Sequence, residues 1–164
     1  MPTTPIYGLR TPELADANNV PADMALLAQG TENALSSLSP SWSSYAVAWS
    51  QSDGTTLSIG NGTLEGRWMQ VGRLVHASVS MGRGSTTNLG SAAWVWSMPV
   101  NARAWAMVAG VGWLARGGSE YPLTVRPVGP GRVVALIPSG RISNNNPGGW
   151  ASGDSLFFTM TYEV

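Results

Sequence analysis

Residues 60–90 read GNGTLEGRWMQVGRLVHASVSMGRGSTTNLG, and the pair at their centre, Gly72-Arg73, constrains the fold most. Both flanks alternate apolar and polar residues. A two-residue loop with Gly at its first position suits a type II′ turn, whose twist matches that of a β-hairpin. The register then follows by counting outward. Val71 lies opposite Leu74, and the pairs Trp68–Ala77, Gly66–Val79 and Leu64–Met81 share one side. Arg67–Ser78, Glu65–Ser80 and Met69–His76 share the other. One apolar side and one mostly polar side describe a half-buried hairpin. Trp68, Val75, Ala77, Val79 and Met81 are expected on the buried face, because a slip of one residue would turn that set outward.

The same period of two continues along most of the chain from Trp42. Expected strands are 44–50, 55–59, 63–71, 74–82, 92–97, 104–114, 121–126, 132–138 and 155–163, separated by Gly, Pro, Asn and Ser clusters. From residue 104, Trp105, Met107, Ala109, Val111 and Trp113 alternate with small residues. The last run sets Leu156, Phe158, Met160, Tyr162 and Val164 against Thr159, Thr161 and Glu163. Short strands with such turns and no helix signal predict a mainly β fold over 42–164. The expected form is an antiparallel β-sandwich of jelly-roll-like character.

Two different segments precede this head. Residues 1–20, MPTTPIYGLRTPELADANNV, are Pro-rich and aperiodic and read as an extended arm that Ile6, Tyr7 and Leu9 could pin to a neighbouring surface. Residues 21–39 carry the helix signal: Pro21 suits a first turn, Asp23 is acidic near the N-terminus, and Pro40 ends the run. Met24, Ala28, Thr31, Leu35 and Leu38 fall at spacings of four, three, four and three, with Leu27 and Ala34 alongside. Gly30 weakens the helix by about 1 kcal/mol relative to Ala. A helix of about 16 residues is marginal in water by itself. It needs a partner, either its own β-domain or copies of itself. Three copies could pack the stripe around a three-fold axis, so these five residues are a candidate trimer seam.

Composition narrows the chemistry. Nine basic residues, all Arg, balance nine acidic ones, which argues against a nucleic-acid binder. The chain has no cysteine, so disulfides and thiolate metal sites are excluded, and one histidine makes a catalytic zinc improbable. No cofactor is expected. Met1 is followed by Pro and Thr rather than by a basic and then an apolar run, so no signal peptide is expected. No apolar stretch reaches about 18 residues, so no membrane insertion is expected. Charged residues make up 11% of the chain, against about a quarter in ordinary domains. The surface must therefore be built from Ser, Thr, Asn and Gly, or be hidden between chains.

Catalytic patterns are sparse. His76 falls on an outward strand position and reads as a surface or interface residue. There is no Gly-x-Ser-x-Gly elbow, and GRGSTTNLG lacks the Lys of a phosphate loop. Asp53, Glu65, Glu120 and Asp154 are the carboxylates a glycosidase would draw on, but they fall mostly in turns or beside Arg and read as solvated charges. Asn61-Gly62-Thr63 fits a glycosylation acceptor and reads better as a turn. The anomaly is eight Trp in 164 residues. Trp94, Trp96, Trp105 and Trp113 read as core or subunit interface. Trp150, in SNNNPGGWASGD, has two readings. It is either an exposed sugar-stacking platform with Asn144, Asn145 and Asn146 as hydrogen-bonding partners, or a loop tip tucked onto the sandwich.

Two stretches resemble virion proteins of tailed phages infecting actinobacteria. YGLRTPELADANNVPADMALLAQGTENAL is similar to an arm that leads into a Val-Pro-Ala-Asp-Met helix in such proteins. IGNGTLEGRWMQVGRLVHASVSMGRGSTTNLGSAAWVWSMP is similar to the β-module that follows there, with Trp68, Trp96 and Met98 at positions usually Tyr, Phe and Leu. Together they span roughly Tyr7 to Pro99. The resemblance implies a non-enzymatic structural protein on the surface of the phage particle, made in the host cytoplasm. It also implies a homotrimer attached to other virion proteins through residues 1–39, with Ile6, Tyr7 and Leu9 as candidate attachment residues. Tail fibre or minor tail protein is the first expectation, with contact to host-surface polysaccharide in prospect. Capsid decoration or head fibre is the alternative, and a carbohydrate-binding module the next. The family offers no catalytic residues to carry over.

Overall fold

The computed structural model describes residues 3, 4, 8, 9, 11, 19–36, 38–103, 109–129 and 131–164. They form two compact units, 1–41 and 42–164.

The first unit contains helix α1, Val20–Ser36. Asn19 caps it: its side-chain oxygen accepts the Ala22 N–H at 3.3 Å, satisfying a donor the first turn leaves free. The helix is shorter than the predicted 21–39, so Leu38 lies past its end, in a turn closed by Leu38 N–H on Leu35 O. Of the described residues of the arm, Gly8 and Leu9 are hydrogen-bonded to Thr4. The Thr4 carbonyl accepts the Gly8 N–H and its hydroxyl accepts the Leu9 N–H. Ile6 and Tyr7 lie outside the described residues. Leu9 comes against Gly30, where an added Cβ would sit 3.0 Å from the Leu9 Cδ2. The glycine that costs helix propensity thus makes room for the arm.

The second unit is all β among its described residues. Its strands are β1 (Ser43–Tyr45), β2 (Trp49–Gln51), β3 (Thr63–Val71), β4 (Leu74–Gly82), β5 (Trp94–Ser97), β6 (Ala109–Arg116), β7 (Ser119–Pro127), β8 (Arg132–Ile137), β9 (Gly140–Arg141) and β10 (Ser155–Glu163). They form one antiparallel sheet in the order β1-β3-β4-β10-β6-β7-β8-β5-β2, with β9 beside β8. The sheet curls into a half-barrel, and the mainly β, sandwich-like class predicted from sequence is the one observed. Both edges come from one segment, because β1 pairs with β3 while β2 pairs with β5. The predicted strand 44–50 is therefore split. At Ala48 the chain has already crossed over, exchanging N–H and C=O bonds with the Ser97 side chain and backbone.

The hairpin has the predicted register at every pair from Leu64–Met81 to Val71–Leu74. Gly72 has φ 57°, and no described non-glycine residue has positive φ, which fits a II′ turn. Val75, Ala77, Val79 and Met81 are buried, and Trp68 is half-buried against the same core. β10 has the predicted bounds and faces, with Leu156, Phe158, Met160 and Tyr162 inside. The predicted strand 55–59 is held only by single bridges at Thr56 and Ser58, although Leu57 is buried.

Much of the core is tryptophan. Trp94 packs edge-on against Trp49 and Trp96, with ring centroids 5.1 and 6.2 Å apart, and Trp96 packs edge-on against Phe158 at 5.4 Å. Such T-shaped pairs add about 0.5–1.5 kcal/mol each beyond the area they bury.

Candidate functional site

Strand β6 reverses the usual sense of a half-buried strand. Its core-facing positions are Gly110, Gly112 and Leu114. An added Cβ on Gly112 would collide with the backbone of Phe157 and Phe158, so β6 lies tight on β10 and its bulk must go outward. Val111 is 65% exposed and Trp113 42%. Trp113 lies directly across from Phe157 on β10 and from Pro122 on β7, and its ring stands 6.3 Å from that of Phe157. Ser80 lies beyond Phe157. The result is an apolar row on the outside of the head. Of the two places expected for Trp113, core or subunit interface, its exposure excludes the core. Trp105 and Met107, on the same alternation, lie outside the described residues.

A second apolar surface lies on α1, none of whose residues is buried. Met24 is 66% and Leu35 59% exposed, and Leu27 and Leu38 are exposed as well. Met24, Leu27, Ala28, Thr31 and Glu32 line one open hollow. The Thr31 hydroxyl donates to Leu27 O at 2.9 Å, so its polar need is met within the helix. The structure thus places Met24, Ala28, Thr31 and Leu35 along one exposed side of the helix.

The proposed platform at Trp150 is corrected. Trp150 is 9% exposed. Its ring lies 4.7 Å from that of Trp94, and its N–H donates to Ser143 O at 3.0 Å. The Arg83 guanidinium holds its carbonyl. A ring used on the core cannot also stack on a sugar, so the tucked-tip alternative describes it. Asn146 is likewise occupied, donating to Arg141 O and bonding the Ser139 hydroxyl. Asn145 is exposed and Asn144 half-exposed.

Asp154, Asp53 and His76 are engaged within the fold. Asp154 is buried, its oxygens accepting the Gly117 and Ala151 N–H groups. Asp53 accepts the Thr55 N–H at 2.9 Å, a bond that holds its carboxyl below the ordinary range. His76 Nδ1 lies 2.9 Å from the Thr161 hydroxyl, and its ring meets Trp42 edge-on. Arg67 lies over the other ring of that pair, 5.6 Å from the Trp42 centroid. No cluster of three or more metal-ligating side chains occurs among the described residues, and no described helix is long and apolar enough to cross a membrane.

Comparison with protein-family models, curated proteins and solved structures finds no match.

The outward sense of β6 does not follow from its alternation alone. Its signal was present in the glycines at 110 and 112, which mark close backbone approach on one side and leave the large residues to the other.

Proposed function

We propose that this chain is a non-enzymatic structural protein of a tailed-phage virion. In this reading it is a homotrimeric surface spike of the tail-fibre or minor-tail type. Its N-terminal unit joins it to other virion proteins and its β-head faces outward toward the host surface.

The observation that carries the reading is the exposed stripe on α1. A 17-residue helix with Met24, Leu27, Ala28 and Leu35 in water is unstable without a partner. A three-fold arrangement covers three copies of the stripe at once. The row Val111, Trp113 and Phe157 gives the heads a second contact. Aromatic residues are enriched in the cores of interfaces. The motif resemblance supplies the virion context. The low charge of the chain agrees with surface covered by neighbours.

Electron microscopy of virions labelled with a gold-conjugated antibody to this chain tests the proposal. Gold at the tail tip or baseplate is the expected result. Gold over the head would move the protein to capsid decoration, and virions without gold would contradict a virion role.

A further inference from the structure

We infer that the outer side of β7, β8 and β9 binds an anionic polysaccharide through Arg132 and Arg141. The register puts three arginines on that side. On β8, Val133, Ala135 and Ile137 belong to the core cluster, so Arg132, Val134 and Leu136 lie on the opposite side, where Val134 is itself fully buried and Arg132 is exposed. Arg126 is the cross-strand neighbour of Val134, and Arg141 that of Leu136. Side chains directly opposite in an antiparallel pair share a face, so all three guanidinium groups lie outside.

Two of them converge. Arg132 and Arg141, with Ser52, Val95 and Val128, line a groove of about 280 Å³. Val95, between the core residues Trp94 and Trp96 on β5, is itself buried beneath the groove. Among the described residues no carboxylate lies within 4.0 Å of Arg126, Arg132 or Arg141, whereas Arg73 and Arg103 both pair with Glu163. The nearest acid in sequence to Ser52 is Asp53, whose Oδ1 is turned onto its own loop at Thr55. The sequence carries the same imbalance: between Glu120 and Asp154 it has three Arg and no acidic residue.

Unneutralised guanidinium groups facing one groove call for an oxyanion. Their planar forks match a carboxylate or a phosphate in two-point contact. Val128 offers apolar contact to a sugar ring, and the exposed Ser52 hydroxyl can bond to its hydroxyls. The ligand class is therefore a polysaccharide carrying carboxylate or phosphate groups. That it belongs to the host surface rests on the virion reading above.

Calorimetric titration of the full chain tests this with three probes: a glucuronic acid oligomer, a glycerol-phosphate oligomer and neutral dextran. Binding of an anionic probe and not of dextran is expected, and the anion bound tells carboxylate from phosphate. Arg132→Ala and Arg141→Ala should each weaken binding roughly tenfold. Arg132→Lys should recover only part, since it keeps the charge and loses the fork. Arg67→Ala, on β3, should change nothing. Raising salt from roughly 50 to 500 mM should weaken binding. Absence of binding to both anionic probes, or binding undiminished in both alanine variants, would overturn the inference. Gold labelling of virions reads the proposed function separately, so either result can fail without the other.

Discussion

Asn61 and Thr86 stand 25 residues apart in the chain and are joined by three hydrogen bonds, each 2.9 Å long. Asn61 N–H donates to the Thr86 hydroxyl, and the Asn61 side-chain oxygen accepts both the backbone N–H and the hydroxyl of Thr86. Asn61 also donates to the Ser85 hydroxyl, and Thr87 donates to Ile59 O. Gly60, Gly62 and Gly84 lie so close to the facing segment that an added Cβ would collide with it. The Gly-Asn-Gly and Gly-Ser-Thr-Thr stretches are a clasp across the open end of the hairpin. Asn61→Ala keeps the backbone donor and removes three side-chain bonds, to the Thr86 N–H, the Thr86 hydroxyl and the Ser85 hydroxyl; at about 0.5–1 kcal/mol each, it should lower stability by about 1.5–3 kcal/mol. Urea denaturation checks it, and an unchanged midpoint would contradict the clasp.

The close contact of β6 with β10 gives a second expectation. Gly112→Ala puts a methyl group into the Phe158 backbone, and backbone cannot swing aside as a side chain can. A loss of about 1–3 kcal/mol is expected, read by thermal unfolding. A neutral substitution would mean that the two strands are farther apart than described.

Tyr162 makes stability depend on alkaline pH. Its hydroxyl donates to Val100 O at 2.9 Å, and burial pushes its pKa up to about 12 from the ordinary value near 10. Burial also raises that of Tyr45. The folded state therefore holds the phenol proton where the unfolded state has released it. The unfolded chain binds fewer protons between about pH 10 and 12, so stability falls as pH rises through that window. Tyr162→Phe should flatten part of the fall. Melting temperatures that hold level from pH 9 to 12 in the wild type would contradict it.

How much of this could be read from the chain depended on what sets the register locally. A two-residue loop at Gly72 fixes parity, so every pair of the β3–β4 hairpin was legible. The alternation from Leu156 to Glu163 was legible for the same reason, with one side uniformly large and apolar. Where a strand changes partner, no residue type announces it. Ala46-Val47-Ala48 contains neither Gly nor Pro, yet β1 and β2 go to opposite edges of the sheet there. Trp150 was ambiguous because Asn-Asn-Asn-Pro-Gly-Gly describes a surface loop correctly and says nothing of where the ring beyond it turns. The groove between Arg132 and Arg141 depends on sheet order, which brings β5 beside β8 across about 35 residues of chain and cannot be counted from spacing.

The outer row of the head yields a prediction specific to assembly. Trp113→Ser removes a half-exposed ring and should leave thermal stability of the dissociated chain within about 0.5 kcal/mol. It should weaken the trimer measurably, because buried Trp is a common anchor of interfaces. A full-strength trimer in this variant would take the row out of the head contact.

The most direct test of the account is the solution mass of the full chain by sedimentation equilibrium at micromolar concentration, beside that of Leu35→Asp. The account predicts three chain masses for the wild type and a shift toward one for the variant, since three carboxylates would meet in an apolar seam. A wild-type protein that sediments as a monomer would contradict it.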